Sequence, residues 1–120
     1  MTGDVFNPVM RVDCRRIKDQ ESFHEVFAEA FGFPGFYGRN WDAWIDCMTS
    51  LDQPEDGMSA YNIPVGAVLT LHLDHFGGMR PTSPAIWQAL IDCAALVNYR
   101  RIKVGELPIL ALSYWEHEPK

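Results

Sequence analysis

Three short apolar runs with a two-residue period, separated by stretches whose apolar residues recur every three or four positions, restrict this chain to an α/β fold. Residues Pro8 to Asp13, PVMRVD, alternate as a first strand does. Ala67 to His75, AVLTLHLDH, puts Leu69, Leu71 and Leu73 on one face and Val68, Thr70, His72 and Asp74 on the other, and reads as the central strand. Pro108 to Trp115, PILALSYW, reads as the last. Between the first two strands, Asp19 to Ser22 offers capping residues to a helix whose stripe is Phe23, Val26, Phe27, Ala30 and Phe31, and Gly32 stops it. Asn40 opens a second helix that runs to about Leu51. Gly77, Gly78 and Pro81 break the central strand, and Ser83 followed by Pro84 starts a long helix with Ile86, Ala89, Leu90, Cys93, Leu96 and Val97 as its apolar stripe and an end near Tyr99. The order β-α-α-β-α-β, with right-handed crossovers, predicts a small parallel sheet of three strands.

With 120 residues the chain is expected to form a single domain, residues 1–120, that buries roughly two-thirds of its unfolded surface. Its 48% hydrophobic and 22% charged composition is that of a soluble globular protein, and no apolar run approaches the ~20 residues that span a bilayer, so no membrane association is expected. The first residues, MTGDVFNPVMRVDCRR, lack the basic start, apolar core and small-residue site of a secretory leader, which predicts a cytoplasmic protein. Cys14, Cys47 and Cys93 are scattered and form no C-x-x-C pair, so they are expected to be reduced thiols rather than a disulfide framework or a zinc ribbon. A net charge of −6 weighs against nucleic-acid binding. The two basic groups, Arg15, Arg16 and Lys18, and Arg100, Arg101 and Lys103, read as a solvated loop and a solvated helix end, and Asp52 to Gly57 reads as a surface loop.

The segment Phe33 to Thr49, FPGFYGRNWDAWIDCMT, concentrates aromatic residues around two carboxylates. At about 100° per residue, Asp42, Asp46, Thr49 and Ser50 share one arc of its helix, and Trp41, Trp44, Ile45, Met48 and Leu51 occupy the other side. Two aspartates four positions apart repel by a few tenths of a kcal/mol, so a helix selected for stability alone would carry a cation at one of them. These residue types admit four chemistries. A nucleophilic Cys47 is disfavoured, since periodicity turns it to the packed side and Asp46 opposes its thiolate. His72, Asp74 and His75 supply metal-ligand types, but strand geometry splits His75 from the other two, and neither metal nor cofactor is expected. Acid–base work by Asp42 and Asp46 lacks a nearby nucleophile, oxyanion donor or phosphate cradle, so no catalytic residue is expected and the chain is not expected to be an enzyme. That leaves a solvated helix face, or carboxylates that pair with arginine or lysine on another protein, with Phe36 and Tyr37 as aromatic anchors.

The run Phe36-Tyr37-Gly38-Arg39-Asn40-Trp41-Asp42-Ala43-Trp44-Ile45-Asp46-Cys47-Met48-Thr49 resembles the signature of the barstar family, intracellular inhibitors of the ribonuclease barnase. It combines an aromatic-Tyr-Gly-x-Asn turn, aspartates four apart and a Cys-x-Thr ending. The resemblance implies a three-stranded parallel sheet covered by helices. It also implies a bacterial immunity protein or antitoxin that inserts the acidic helix into the basic active-site cleft of a cognate secreted or toxin ribonuclease. The binding residues it implies are Phe36, Tyr37, Asn40, Asp42, Ile45, Asp46, Thr49 and Asp92, with Asp46 as the central plug, Asp42 on neighbouring cations and Phe36 stacked on the nuclease. This chain departs from the family pattern at Arg39, where the family has glutamate, at Ile45, where it has tryptophan, at Phe36, which lacks a hydroxyl, and in extra length around Asp52–Pro64 and after Tyr99. The alternative reading is a barstar-like interaction or regulatory domain with a non-nuclease partner.

Overall fold

The computed structural model describes residues 7–115, so the leader reading of the first six residues lies outside it. Strand β1 (Val9–Asp13) is followed by a single 3-10 turn at Cys14–Arg16, helix α1 (Gln20–Phe31), helix α2 (Trp41–Thr49), a 3-10 turn at Pro54–Asp56, strand β2 (Leu69–Asp74), helix α3 (Phe76–Thr82), helix α4 (Pro84–Lys103) and strand β3 (Leu110–Tyr114). The strands form one parallel sheet in the order β1-β2-β3, so the strand read as central is central.

Register explains the two faces of the sheet. Met10 pairs Leu71 and Leu71 pairs Leu112, while Val12 pairs Leu73 and Leu73 pairs Tyr114, which gathers the apolar side chains on one face. That face joins Phe23, Phe27, Phe31, Trp44 and Met48 in the core. The opposite face aligns Arg11 with His72 and His72 with Ser113, and Asp13 with Asp74. Arg11 binds Asp74 through two hydrogen bonds of 3.1 and 2.8 Å, and His72 Nδ1 lies 2.9 Å from the Ser113 hydroxyl and its Nε2 3.3 Å from Asp74. The His72 and Asp74 carboxylate-imidazole contact is therefore part of an ion-paired sheet face. His75 leaves the strand in a left-handed conformation, φ 62°, as the residue before α3.

Helix α1 starts at a reciprocal cap: Asp19 Oδ1 accepts from the Ser22 amide at 2.8 Å, and the Ser22 hydroxyl oxygen accepts from the Asp19 amide at 3.0 Å. It ends at Gly32, φ 63°, where a Cβ would fall 2.6 Å from the Ala60 Cβ, so both backbone sign and space require glycine.

The structure departs from the expected elements in the second half of the chain. The Gly77, Gly78 and Pro81 stretch forms α3 rather than a plain break, because Phe76 and Met79, one turn apart, are both buried and their packing outweighs poor helix propensity. Helix α4 runs one turn beyond Tyr99 to Lys103, with Leu90, Ala94, Val97 and Arg101 as its buried stripe, and Leu96, placed inside by periodicity, is 42% exposed. Ser83 precedes Pro84 at the first position of α4 as expected, but its hydroxyl donates to the Lys18 carbonyl at 3.4 Å instead of capping the helix.

Of the extra residues near 52–64, Pro54 to Gly57 are exposed as the surface-loop reading expects, while Asp52, Ser59 and Ile63 are buried. The Ala60 and Tyr61 amides donate to the Phe31 carbonyl, and the Ile63 amide and the Asn62 side chain donate to the Leu51 carbonyl, which satisfies orphan acceptors at the ends of α1 and α2. Arg101 and Asp52, read from sequence as solvated, are buried and joined by hydrogen bonds of 3.1 and 2.8 Å. Arg101 also donates to the carbonyls of Thr49 at 2.9 Å and Leu107 at 2.7 Å. One guanidinium thus ties α4 to the end of α2 and to the chain entering β3.

Candidate functional site

Helix α2 owes its start to Asn40. Its Oδ1 accepts from the Ala43 amide at 2.8 Å, and its Nδ2 donates to the Gly38 carbonyl at 3.3 Å, so the side chain closes the turn and caps the helix together. A Cβ on Gly38 would lie 3.1 Å from that Nδ2, which keeps the position small. Arg39 between them is left-handed, φ 52°, a conformation that strains a non-glycine residue by roughly 1 kcal/mol. Its guanidinium reaches Glu25 on α1 at 3.9 Å.

The packed side of α2 is aromatic. Trp41 lies 4.5 Å from Phe23 and 5.3 Å from His24, centroid to centroid, and Trp44 meets Phe27 edge to face at 5.6 Å. Ile45, Cys47 and Met48 are buried beneath the helix, as the periodicity requires. Burial first, and the neighbouring Asp46 charge second, push the Cys47 thiol up to about 11. At neutral pH it is a protonated core residue, which removes the nucleophile reading. Ile45, at 5% exposure, supports the acidic face from below and offers a partner no surface.

The outer side carries Asp42 and Asp46, both exposed, and the half-buried Thr49, whose hydroxyl donates to the Ile45 carbonyl at 2.6 Å. Helix α4 packs alongside and carries Asp92, which is exposed. Burial, followed by the charges of Asp92 and Asp42, raises the pKa of the Cys93 thiol, so the two carboxylates, fifty residues apart in the chain, both act on one sulfur. Asp92 accepts a 2.9 Å hydrogen bond from Gln88 one turn earlier. Near the end of α4, Arg100 Nη1 donates to Asp46 Oδ1 at 3.0 Å. An open hollow of ≈ 380 Å³ beside this pair is lined by Asp46, Thr49, Ser50, Asp56, Met58 and Arg100.

The loop before α2 presents Phe36, 75% exposed. Tyr37 turns inward, with its hydroxyl 2.6 Å from Nδ1 of the buried His24 and its ring against Phe33 at 4.7 Å. Burial, and secondarily the Arg39 charge, hold His24 neutral with its pKa down to about 4. Tyr37 therefore fixes the loop that displays Phe36.

The structure thus leaves Asp42, Asp46 and Asp92 exposed and Thr49 half-buried on the packed pair α2 and α4, with Phe36 exposed on the loop before α2; Tyr37 and Ile45 turn inward as supports, and Asn40, itself exposed, caps the helix. Sequence reasoning missed Arg100 and Arg101. An arginine falling at i+4 from Val97 on a buried stripe is a signal that a partner charge must be buried too, and it marks Arg101; Arg100 carries no comparable signal. Among the described residues no group of three or more His, Cys, Asp or Glu is placed to hold a metal ion, and no helix is long and apolar enough to cross a membrane.

The family model described as barstar (barnase inhibitor) matches residues 7–105. No curated protein matches the chain.

Proposed function

The chain belongs to the barstar family, and from that premise we propose that it is an inhibitor or immunity protein that blocks the substrate cleft of a basic ribonuclease-type toxin with the outer face of α2. The observation that carries the reading is the set of exposed carboxylates: Asp42 and Asp46 on α2 and Asp92 on the helix packed against it, with the exposed ring of Phe36 on the loop that leads into α2. A cleft that binds RNA phosphates is lined with cations, and three carboxylates on a rigid support imitate the charge of that substrate. Asp46 acts as the plug into the phosphate-binding position, Asp42 and Asp92 pair flanking cations, Thr49 adds a hydroxyl, and Phe36 stacks on an aromatic or imidazole ring of the nuclease. Tyr37, Asn40 and Ile45 act by holding these groups in place. Inhibition needs no bond-making step by this chain.

A second reading, a barstar-like interaction domain whose partner is not a nuclease, draws on the departures at Phe36, Arg39 and Ile45 within the same segment. One experiment separates the two. The tagged chain is used to capture its partner from the native host, and the recovered protein is assayed for ribonuclease activity with and without added inhibitor. Recovery of a basic ribonuclease silenced at a one-to-one ratio supports the first reading; a partner without nuclease activity overturns it.

A further inference from the structure

Asp46, the residue that should receive a partner's cation, already holds one in this structure. Arg100 Nη1 lies 3.0 Å from its Oδ1, with the two side chains 46% and 52% exposed. The arrangement is not a chance reach of a long side chain. The next residue, Arg101, is buried and locked to Asp52, Thr49 and Leu107, so the last turn of α4 is fixed against α2 and Arg100 projects from a rigid base. Asp56 lines the same hollow as the Arg100–Asp46 pair and supplies a second carboxylate within the molecule.

We propose that Arg100 is a specificity-determining residue of this face: it occupies Asp46 in the free protein and must pass to Asp56 before a cationic group of the partner can bind Asp46. The inference rests on the reading of α2 as the contact face. Exposed ion pairs of this kind shift equilibria only by roughly 1.5- to 5-fold, so breaking the pair is easy. Leaving the guanidinium under a partner without an acceptor is not, because an unpaired charge is then desolvated. Asp56 removes that penalty. The incoming group also has to outcompete a guanidinium for the carboxylate, which favours a partner arginine able to bind with two parallel hydrogen bonds over a lone lysine.

The test uses an octa-arginine peptide as the cationic probe, titrated at low salt against the whole protein and followed through the backbone amide signals of α2. Arg100→Gln is compared with Arg16→Gln, which removes the same charge from the far 3-10 turn, where Arg16 pairs with Glu29. Arg100→Gln should bind the probe at least two-fold more tightly than Arg16→Gln. Asp56→Asn should weaken binding more in the parent protein than in the Arg100→Gln background, since only the parent needs the second acceptor. Equal affinities for the two arginine variants, an Asp56→Asn loss of the same size in both backgrounds, or no binding of the probe to any variant would overturn the proposal. The peptide is not a nuclease, so these results stand apart from the outcome of the ribonuclease assay.

Discussion

Asp46 is the residue on which the binding account turns. Replacing it with alanine should weaken binding to the captured nuclease by several kcal/mol, a size for which a barstar aspartate is itself the standard example. Glu29→Ala, an exposed carboxylate on the outer side of α1, should change the dissociation constant by less than about three-fold, and calorimetric titration of both variants checks the pair. His24 sets a different prediction. Its folded pKa of about 4 lies below the ordinary ~6.5 of an unfolded histidine, so between those pH values the unfolded chain binds a proton that the folded chain refuses. Stability should therefore fall as pH drops from about 6.5 to about 4, by on the order of 1–3 kcal/mol. Urea melts across that range should show the slope in the parent protein and lose most of it in His24→Gln. Asp13, held down to about 2 by Arg15, contributes its loss separately, below the usual carboxylate range. The acidic arc of α2 was legible in spacing because Asp42 and Asp46 are local to one helix. The Arg100–Asp46 and Arg101–Asp52 pairs were not, since each joins residues about half the chain apart and depends on how α4 lies on α2.

The elements themselves followed from capping and periodicity wherever the signal was local. Asn40, the Asp19 and Ser22 box, Gly32 and Pro84 each mark a boundary that the backbone uses. What failed was propensity against packing: Phe76 and Met79 pull a Gly-Gly-Pro stretch into α3, and the anchored Arg101 extends α4 past Tyr99. The acidic helix is only nine residues long, so it depends on its cap and on tertiary contacts rather than on intrinsic helicity. Asn40→Ala should cost about 1 kcal/mol in a denaturant melt and weaken partner binding as well, because the same side chain closes the Gly38 turn below Phe36. Arg101→Ala should cost roughly 3–5 kcal/mol, since Asp52 is left buried without its partner. If both variants melt at the denaturant concentration of the parent protein, the support assigned to α2 and α4 is wrong.

At the scale of the molecule, the net charge of −6 and the exposed Asp42, Asp46 and Asp92 on the packed pair α2 and α4 favour fast, steered association with a cationic partner. The on-rate should fall by about ten-fold or more between low and physiological salt, while the off-rate changes little; stopped-flow mixing at several ionic strengths measures both. The apolar sheet face and the phenylalanine stripe of α1 build the core beneath, and the tie from Arg101 to Asp52 and to the Thr49 carbonyl fastens α4 to the end of α2. That division of labour was visible in the sequence only in part. Alternating leucines and spaced phenylalanines identify what is inside, but the shared surface of α2 and α4 exists only once they pack. The most direct measurement of the central claim is a titration of a panel of barnase-type ribonucleases with the parent chain and with Asp46→Ala, reading RNA cleavage. The account predicts that the parent silences at least one of them at a one-to-one ratio and that Asp46→Ala needs at least a hundred-fold more protein to do so. Cleavage undiminished across the panel, or inhibition equal in the two proteins, would contradict it.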